Sequence, residues 1–422
     1  TVHINLITRY ARLDTEKLPE QRVIKRYTIN DKWPDLPSGR IAITAGGHKI
    51  WSKELTQSVD NFCASNDAVV FVDHSSGYHG KYSVHAKLPA AQSMSNTQIF
   101  DIDLLIHIGQ ESGDYIVLGQ LGRAKEVWRV NEDGELRDTF HKLTKVFQIP
   151  EEIFFEAYSD SDGGIYDDYY KQCQDDINDV MQKIPELPFS NIWLAQRMAH
   201  KIPANSFVHL GCSNTQRAWT FFDFPDSVIS IANVGCRGID GALSSALGMS
   251  LVNRDKIHFC ILGDLTFFYN LNSLGNRNLD RNFRILLINN GGGTEFRLYI
   301  HMTAQLIGDD IAPYIAAEGH SGNKSPELLR HYAQDLGFEY LTASNKDEAE
   351  ESIKRFLTPE LTDKPILFEV FTDYHDESKA LELICTCRKE VKAMAKQAAK
   401  RVVKKFVGPR GVKIIKSLMG KK

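Results

Sequence analysis

An α/β fold of two doubly wound parallel-sheet domains, followed by a basic helical C-terminal tail, is the architecture this sequence predicts. Three observations lead there. Apolar strand-like runs alternate with helix-periodic segments along nearly the whole chain, as parallel sheets covered by helices on both faces require. The runs at 257–262, 284–288 and 366–371 are largely apolar without alternation, the pattern of central strands buried on both sides. An acidic, Asp-rich stretch at 158–179 interrupts the alternation and divides it in two.

In the first unit strands are expected at 40–45, 68–72, 104–108, 116–118 and 126–130, with a helix over 52–64. In the second, strands are expected at 206–210, 228–231, 257–262, 284–288 and 366–371, with helices over 239–250, 267–274, 326–336 and 346–356. The domain reading is a remnant and linker at 1–20, a middle α/β domain at 21–160, an acidic linker at 161–185, a second α/β domain at 186–385 and a tail at 386–422. Because residues 2–6 alternate like a strand already in progress and no initiator Met precedes them, an N-terminal truncation is expected.

The 422 residues are 42% hydrophobic, enough for two or three packed domains. No run approaches the roughly 18 apolar residues of a membrane span, and no secretory leader opens the chain, so a cytoplasmic protein is expected. The seven cysteines are odd in number and scattered, which reads as reduced thiols. Cys385 and Cys387 form a CxC pair without two further ligands nearby, and read as packing residues.

The net charge of −4 conceals an asymmetry. Residues 388–422 hold thirteen Lys or Arg against the single acid Glu390, leaving 37 basic and 53 acidic residues in the body, a net of −16. From about Ser378 to Phe406 apolar residues recur at helical spacing with lysines between them. Two readings of this tail stand: a helix packed on its own acidic body or on a sister subunit, and a helix on an anionic membrane surface that makes the protein peripheral at the inner membrane face. Nucleic acid is disfavoured, since its backbone would repel the acidic body.

The chemistry concentrates at two strand ends. Ile261-Leu262-Gly263-Asp264-Leu265 is followed, after a helix and a strand, by Ile288-Asn289-Asn290-Gly291-Gly292-Gly293. Strand C-terminal ends are where open α/β sheets bind ligands. An Asp carboxylate, an Asn carbonyl and a Gly main-chain carbonyl are hard oxygen donors suited to Mg²⁺, which completes its octahedron with water and phosphate oxygens. Either half alone is an ordinary turn; the pair, about 25 residues apart, reads as a diphosphate clamp. Ala45-Gly46-Gly47-His48 lacks dinucleotide-binding spacing and reads as a tight turn. His74 and His79 read as solvated loop histidines.

A third segment, 232–241, reads ANVGCRGIDG and leads into a small-residue helix. Together the three segments resemble the MenD family of thiamine-diphosphate enzymes, in which the corresponding stretches read close to SNRGASGIDG, GDL and NNNGG. The resemblance runs from Thr1 to about Leu383 and leaves most of that family's N-terminal pyrimidine-binding domain outside the chain. It implies a thiamine-diphosphate- and Mg²⁺-dependent carboligase or decarboxylase acting on a 2-oxo acid and an acceptor, assembled as a homodimer or homotetramer, with the activating glutamate in the N-terminal domain. The rival is a non-catalytic or regulatory cofactor-binding module.

By matching position, Gly263, Asp264, Leu265, Ile239, Asn290 and Gly292 would bind the cofactor. Asp264, Asn290 and the Gly292 carbonyl would hold Mg²⁺, and Ile239 would be the apolar wedge beneath the bent cofactor. Ser213, Arg217, Arg237, Glu295 and Phe296 would face substrate, the arginines suiting carboxylates. Two positions depart from the family: Val234 stands where an arginine is expected, and Glu295 where an aliphatic residue is. A site with one cation fewer and one anion more should bind a dicarboxylate acceptor less well.

Overall fold

The computed structural model describes residues 22–159, 164–235, 238–314 and 325–388. Two α/β units follow one another, each built on a wholly parallel sheet.

The first sheet contains β1 (Lys25–Tyr27), β2 (Ile41–Ala45), β3 (Val69–Val72), β4 (Ser83–Val84), β5 (Leu104–Ile108), β6 (Glu126–Asn131) and β7 (Leu143–Gln148) in the order β1-β7-β6-β5-β2-β3-β4. Its helices are α1 (Lys53–Asn66), α2 (Lys87–Ala90), α3 (Tyr115–Leu121), α4 (Glu151–Ala157) and α5 (Asp168–Met181). Every residue of β2, β3 and β5 is buried, because separate apolar clusters cover the two faces.

The second sheet contains β8 (Phe207–Leu210), β9 (Ile229–Ala232), β10 (His258–Gly263), β11 (Phe283–Asn289), β12 (Glu339–Ala343) and β13 (Ile366–Phe371) in the order β12-β13-β11-β10-β8-β9. Around it lie α6 (Asn191–Met198), α7 (Asn214–Trp219), α8 (Ala242–Val252), α9 (Asp264–Tyr269), α10 (Met302–Leu306), α11 (Leu328–Asp335), α12 (Lys346–Phe356) and α13 (Tyr374–Ile384). One face is covered by residues of α6, α7, α12 and α13, the other by residues of α8, α9 and α11.

Several local expectations fail for identifiable reasons. Residues 116–118 are not a strand but part of α3, started by Asp114, whose carboxylate accepts from the N–H groups of Ile116 and Val117. Most of the stretch read as an acidic linker is α5: Tyr169, Cys173, Ile177 and Val180 recur at helical spacing and are buried, while the acids between them face outward. The helix expected from Ser378 onward ends at Ile384, and Leu381 and Ile384 pack into the body. Arg388, counted with the tail, is bound to the body through Asp176 and Asp179. The strand expected at 2–6 and the tail beyond residue 388 lie outside the described residues.

The two units are pinned together by buried polar contacts. His74, in the loop after β3, does not face solvent as expected. Its Nε2 lies 3.1 Å from the Trp219 carbonyl and 3.0 Å from that of Phe222, and its ring stacks on Phe224. His79 is exposed. Lys87 and Asp114 form an ion pair at 2.6 Å with side chains 1% and 2% exposed, next to Phe221 of the second unit. Gln92 donates to the Ile384 carbonyl, and the Ser93 N–H to that of Cys385. Cys385 is buried, and the Cys387 thiol points to Gln92 Oε1.

Candidate functional site

β10 and β11 run side by side with Gly263 opposite Ile288, so the chain leaves both strands at the same edge. Asp264 begins α9 directly after β10, is 2% exposed, and accepts the Leu265 N–H on Oδ1 at 2.8 Å. After β11 the chain must reverse out of the sheet, and Gly291 does so at φ 81°, a conformation open to glycine at little steric cost.

The two asparagines before it divide the work. Asn289 points into the unit: its Nδ2 donates to Glu369 Oε1 at 2.7 Å, and its Oδ1 accepts the Gly291 N–H. Asn290 points the other way, and its Oδ1 is buried without a hydrogen-bond partner. A buried acceptor left unpaired costs about 1–3 kcal/mol, which a bound cation would recover. The Gly292 carbonyl accepts from the Thr294 N–H at 3.0 Å and keeps a second lone pair. A carboxylate, an amide oxygen and a main-chain carbonyl at one strand edge suit a hard divalent cation shared with phosphate oxygens, so these residues fit a magnesium diphosphate.

Around this edge opens a cleft of about 300 Å³. Of the residues singled out in the sequence, Gly263, Asp264, Leu265, Ile239, Asn290, Gly292, Ser213, Glu295 and Phe296 all line it. Arg217 lines an adjoining cavity that shares Asn191, Asn214, Asn290 and Thr294 with the cleft. Arg237 lies outside the described residues. Ile239 precedes α8, which starts at Ala242 and not at 239, so it sits in a loop with its side chain half-buried. Val234 is buried, 7% exposed.

The residues expected to face substrate make a closed set of contacts among themselves. Arg217 Nη1 meets both oxygens of Glu295, Oε2 at 2.5 Å. Ser213 Oγ donates to the same Oε2 at 2.5 Å. With its amide oriented to satisfy both neighbours, Asn214 donates to Glu295 Oε2 at 2.9 Å and accepts the Glu295 N–H at 2.8 Å. Tyr115, from the first unit, lies over the guanidinium with its ring centroid 4.4 Å away. Ser213 holds this geometry at φ 75°, ψ −124°, a backbone conformation that side chains other than glycine rarely adopt.

Four contributors had not been singled out in the sequence. Tyr115 and Asn214 carry no local motif. Asn191 lines both cavities, and its N–H is held by Glu377, whose carboxyl burial pushes up to about 7. Glu369 accepts from Asn289 and from the Tyr340 hydroxyl, and burial raises its pKa. An acid inside the apolar run of β13 was the available signal for Glu369.

Residues 210–370 match the family described as thiamine pyrophosphate enzyme, C-terminal TPP binding domain. Three relatives share the name 2-succinyl-5-enolpyruvyl-6-hydroxy-3-cyclohexene-1-carboxylate synthase. The protein of Bacteroides fragilis is 30% identical over 259 residues, 61% of this chain and 44% of its own length. That of Bacteroides thetaiotaomicron is 30% identical over 262 residues, 61% and 44%. That of Phocaeicola vulgatus is 31% identical over 275 residues, 64% and 47%. The aligned part thus spans less than half the length of these relatives. The matched region takes in every residue lining the cleft except Asn191, and on these grounds the chain is MenD-like, its second α/β unit corresponding to the thiamine-pyrophosphate-binding domain of thiamine pyrophosphate enzymes.

Proposed function

We propose that this chain supplies the diphosphate- and magnesium-binding half of an enzyme that makes or breaks a carbon–carbon bond beside the carbonyl of a 2-oxo acid. The observation that carries the reading is the orphaned, buried Asn290 Oδ1 at the same sheet edge as Asp264 and the Gly292 carbonyl. Asp264, Asn290 and Gly292 hold Mg²⁺, and Gly263 and Leu265 line the approach to the diphosphate. Ile239 supports the cofactor from its apolar side. Thiamine diphosphate, when bound, supplies the carbanion chemistry.

The chain's own residues bind and orient. Asn289, fixed by Glu369, keeps Asn290 turned to the cleft, and the apolar side chains of Ile239 and Phe296 limit water. In this reading the activating glutamate comes from a pyrimidine-binding domain outside these 422 residues, and the site is completed in a homodimer or homotetramer. Met302 and Leu306, each 71% exposed on α10 close to the cleft wall, support a docking surface there. The protein works in the cytoplasm, and the basic residues beyond 388 offer contact with an anionic membrane face.

Calorimetric titration of the chain with thiamine diphosphate, with Mg²⁺ and with excess chelator, tests the reading. Binding should require the metal and disappear in Asp264→Ala and Asn290→Ala. Metal-independent binding of equal strength in all three proteins would overturn it. Metal-dependent binding without turnover in a protein extended through a pyrimidine-binding domain would favour a regulatory cofactor-binding module.

A further inference from the structure

The cleft contains an assembled receptor for a carboxylate, and the chain itself fills it. Ser213 Oγ, the Asn214 amide and Arg217 Nη1 all converge on the side chain of Glu295. The three donors come from the start of α7, whereas Glu295 comes from the loop after β11, 78 or more positions away in sequence. The contact is therefore tertiary and not a by-product of local turn geometry. A guanidinium with a hydroxyl and an amide donor beside it is the set a free carboxylate would select.

We propose that Glu295 is the specificity determinant of this cleft: a built-in carboxylate that occupies the anion position of Arg217, Ser213 and Asn214. A substrate with a carboxylate of its own is thereby refused at that position, and the acceptor it admits is an uncharged carbonyl compound, an aldehyde or ketone. The inference deepens the proposed function and rests on it for the identity of the neighbouring cofactor. Arg217 acts here as a positioning residue, holding Glu295 against the cleft wall under Tyr115. A competing anion would meet a receptor already neutralised and would have to displace a carboxylate held by three donors, which excludes it by occupancy and by like charge. The side chains of Arg217 and Glu295 remain 22% and 24% exposed, so the position is reachable from the cleft once the internal carboxylate is removed.

Succinate, a plain dicarboxylate, is titrated by calorimetry into the full chain, Glu295→Ala, Glu295→Gln and the double variant Glu295→Ala/Arg217→Met. Thiamine diphosphate with Mg²⁺ is titrated into the same four proteins. The parent chain should bind succinate at least 10-fold more weakly than Glu295→Ala, and the gain should vanish in the double variant. Glu295→Gln keeps the side-chain shape without its charge, should show a smaller salt-sensitive gain, and serves if the alanine variant fails to fold. Equal succinate affinity in the parent and in whichever of the two variants folds overturns the proposal, as does a gain that survives loss of Arg217. Cofactor affinity should be the same in all four. Absence of cofactor binding throughout, with the succinate gain intact, would refute the proposed function and leave the built-in carboxylate standing.

Discussion

Asn289 gives its side-chain amide to Glu369 at 2.7 Å across the β11–β13 pair, and this contact separates the two asparagines of the turn into one that holds the strand end and one whose side-chain oxygen is left unpaired at the cleft. Glu369→Ala should leave both the Asn289 amide and the Tyr340 hydroxyl unsatisfied, lowering stability by about 2–4 kcal/mol and weakening magnesium-dependent cofactor binding. Glu369→Gln keeps an acceptor for Asn289 and a donor for Tyr340, and should recover most of both. Chemical denaturation with cofactor titration on the two variants checks this; equal damage from both would show that the charge of Glu369 matters and not its hydrogen bonds.

Arg284 should matter for stability and not for the site. It is fully buried in β11, where its guanidinium donates to the carbonyls of Phe356, Thr358 and Glu360 at the end of α12. Burial lowers its pKa to about 10, with the three carbonyls compensating its charge. Arg284→Met removes those donors while filling similar space, and should cost about 3 kcal/mol with unchanged cofactor affinity. A thermal shift of a degree or less would contradict the role given to these bonds.

Ser213 and its strained backbone give a comparison of two substitutions that both delete the hydroxyl. Ser213→Gly relieves the φ of 75° and Ser213→Ala does not, so the glycine variant should be the more stable by about 1–2 kcal/mol. Paired urea denaturation curves decide it, and an alanine variant at least as stable as the glycine variant would remove the strain argument.

Acid should destabilise the chain before most carboxylates titrate. Burial pushes His74 and His258 down from the usual 6.5 to about 4, and His107 and His209 to about 3. All four stay neutral in the fold but take up protons in the unfolded chain below pH 6.5, so stability falls as pH drops from 6.5 to 4. Glu377, raised to about 7, and Glu369, raised by burial, act in the opposite sense because the fold binds their protons more tightly. The histidines win: the four of them with Glu377 give a net uptake on unfolding of roughly three protons near pH 5, about 4 kcal/mol per pH unit, which Glu369 reduces. Denaturation midpoints between pH 4 and 7 measure this, and His74→Gln should make the dependence shallower by about one proton.

The elements legible in the sequence were those whose own pattern decides their structure. β10, β11 and β13 are apolar at nearly every position because both faces are covered, and α12 shows its buried stripe at Ala349, Ile353 and Phe356. α3 and α5 were misread because a single capping residue, Asp114, and outward-facing acids outweighed periodicity in short windows. Of the site, the strand-end oxygens were readable because GD and NNGGG sit in adjacent loops. The placement of Tyr115 over Arg217, and the capture of Arg217 by Glu295, depend on chain segments that meet only in three dimensions.

The Lys87–Asp114 pair reaches beyond its own stability. Asp114 caps the helix that begins with Tyr115, so this ion pair, made within the first unit and packed against Phe221 of the second, also sets the aromatic roof over Arg217. The selectivity filter is therefore not portable with the cofactor-binding unit alone. Grafting residues of the second sheet onto a foreign first unit would transplant the arginine and its glutamate but leave their ceiling behind, and an exchange that keeps the filter intact has to carry the stretch from Lys87 to Tyr115 along with it.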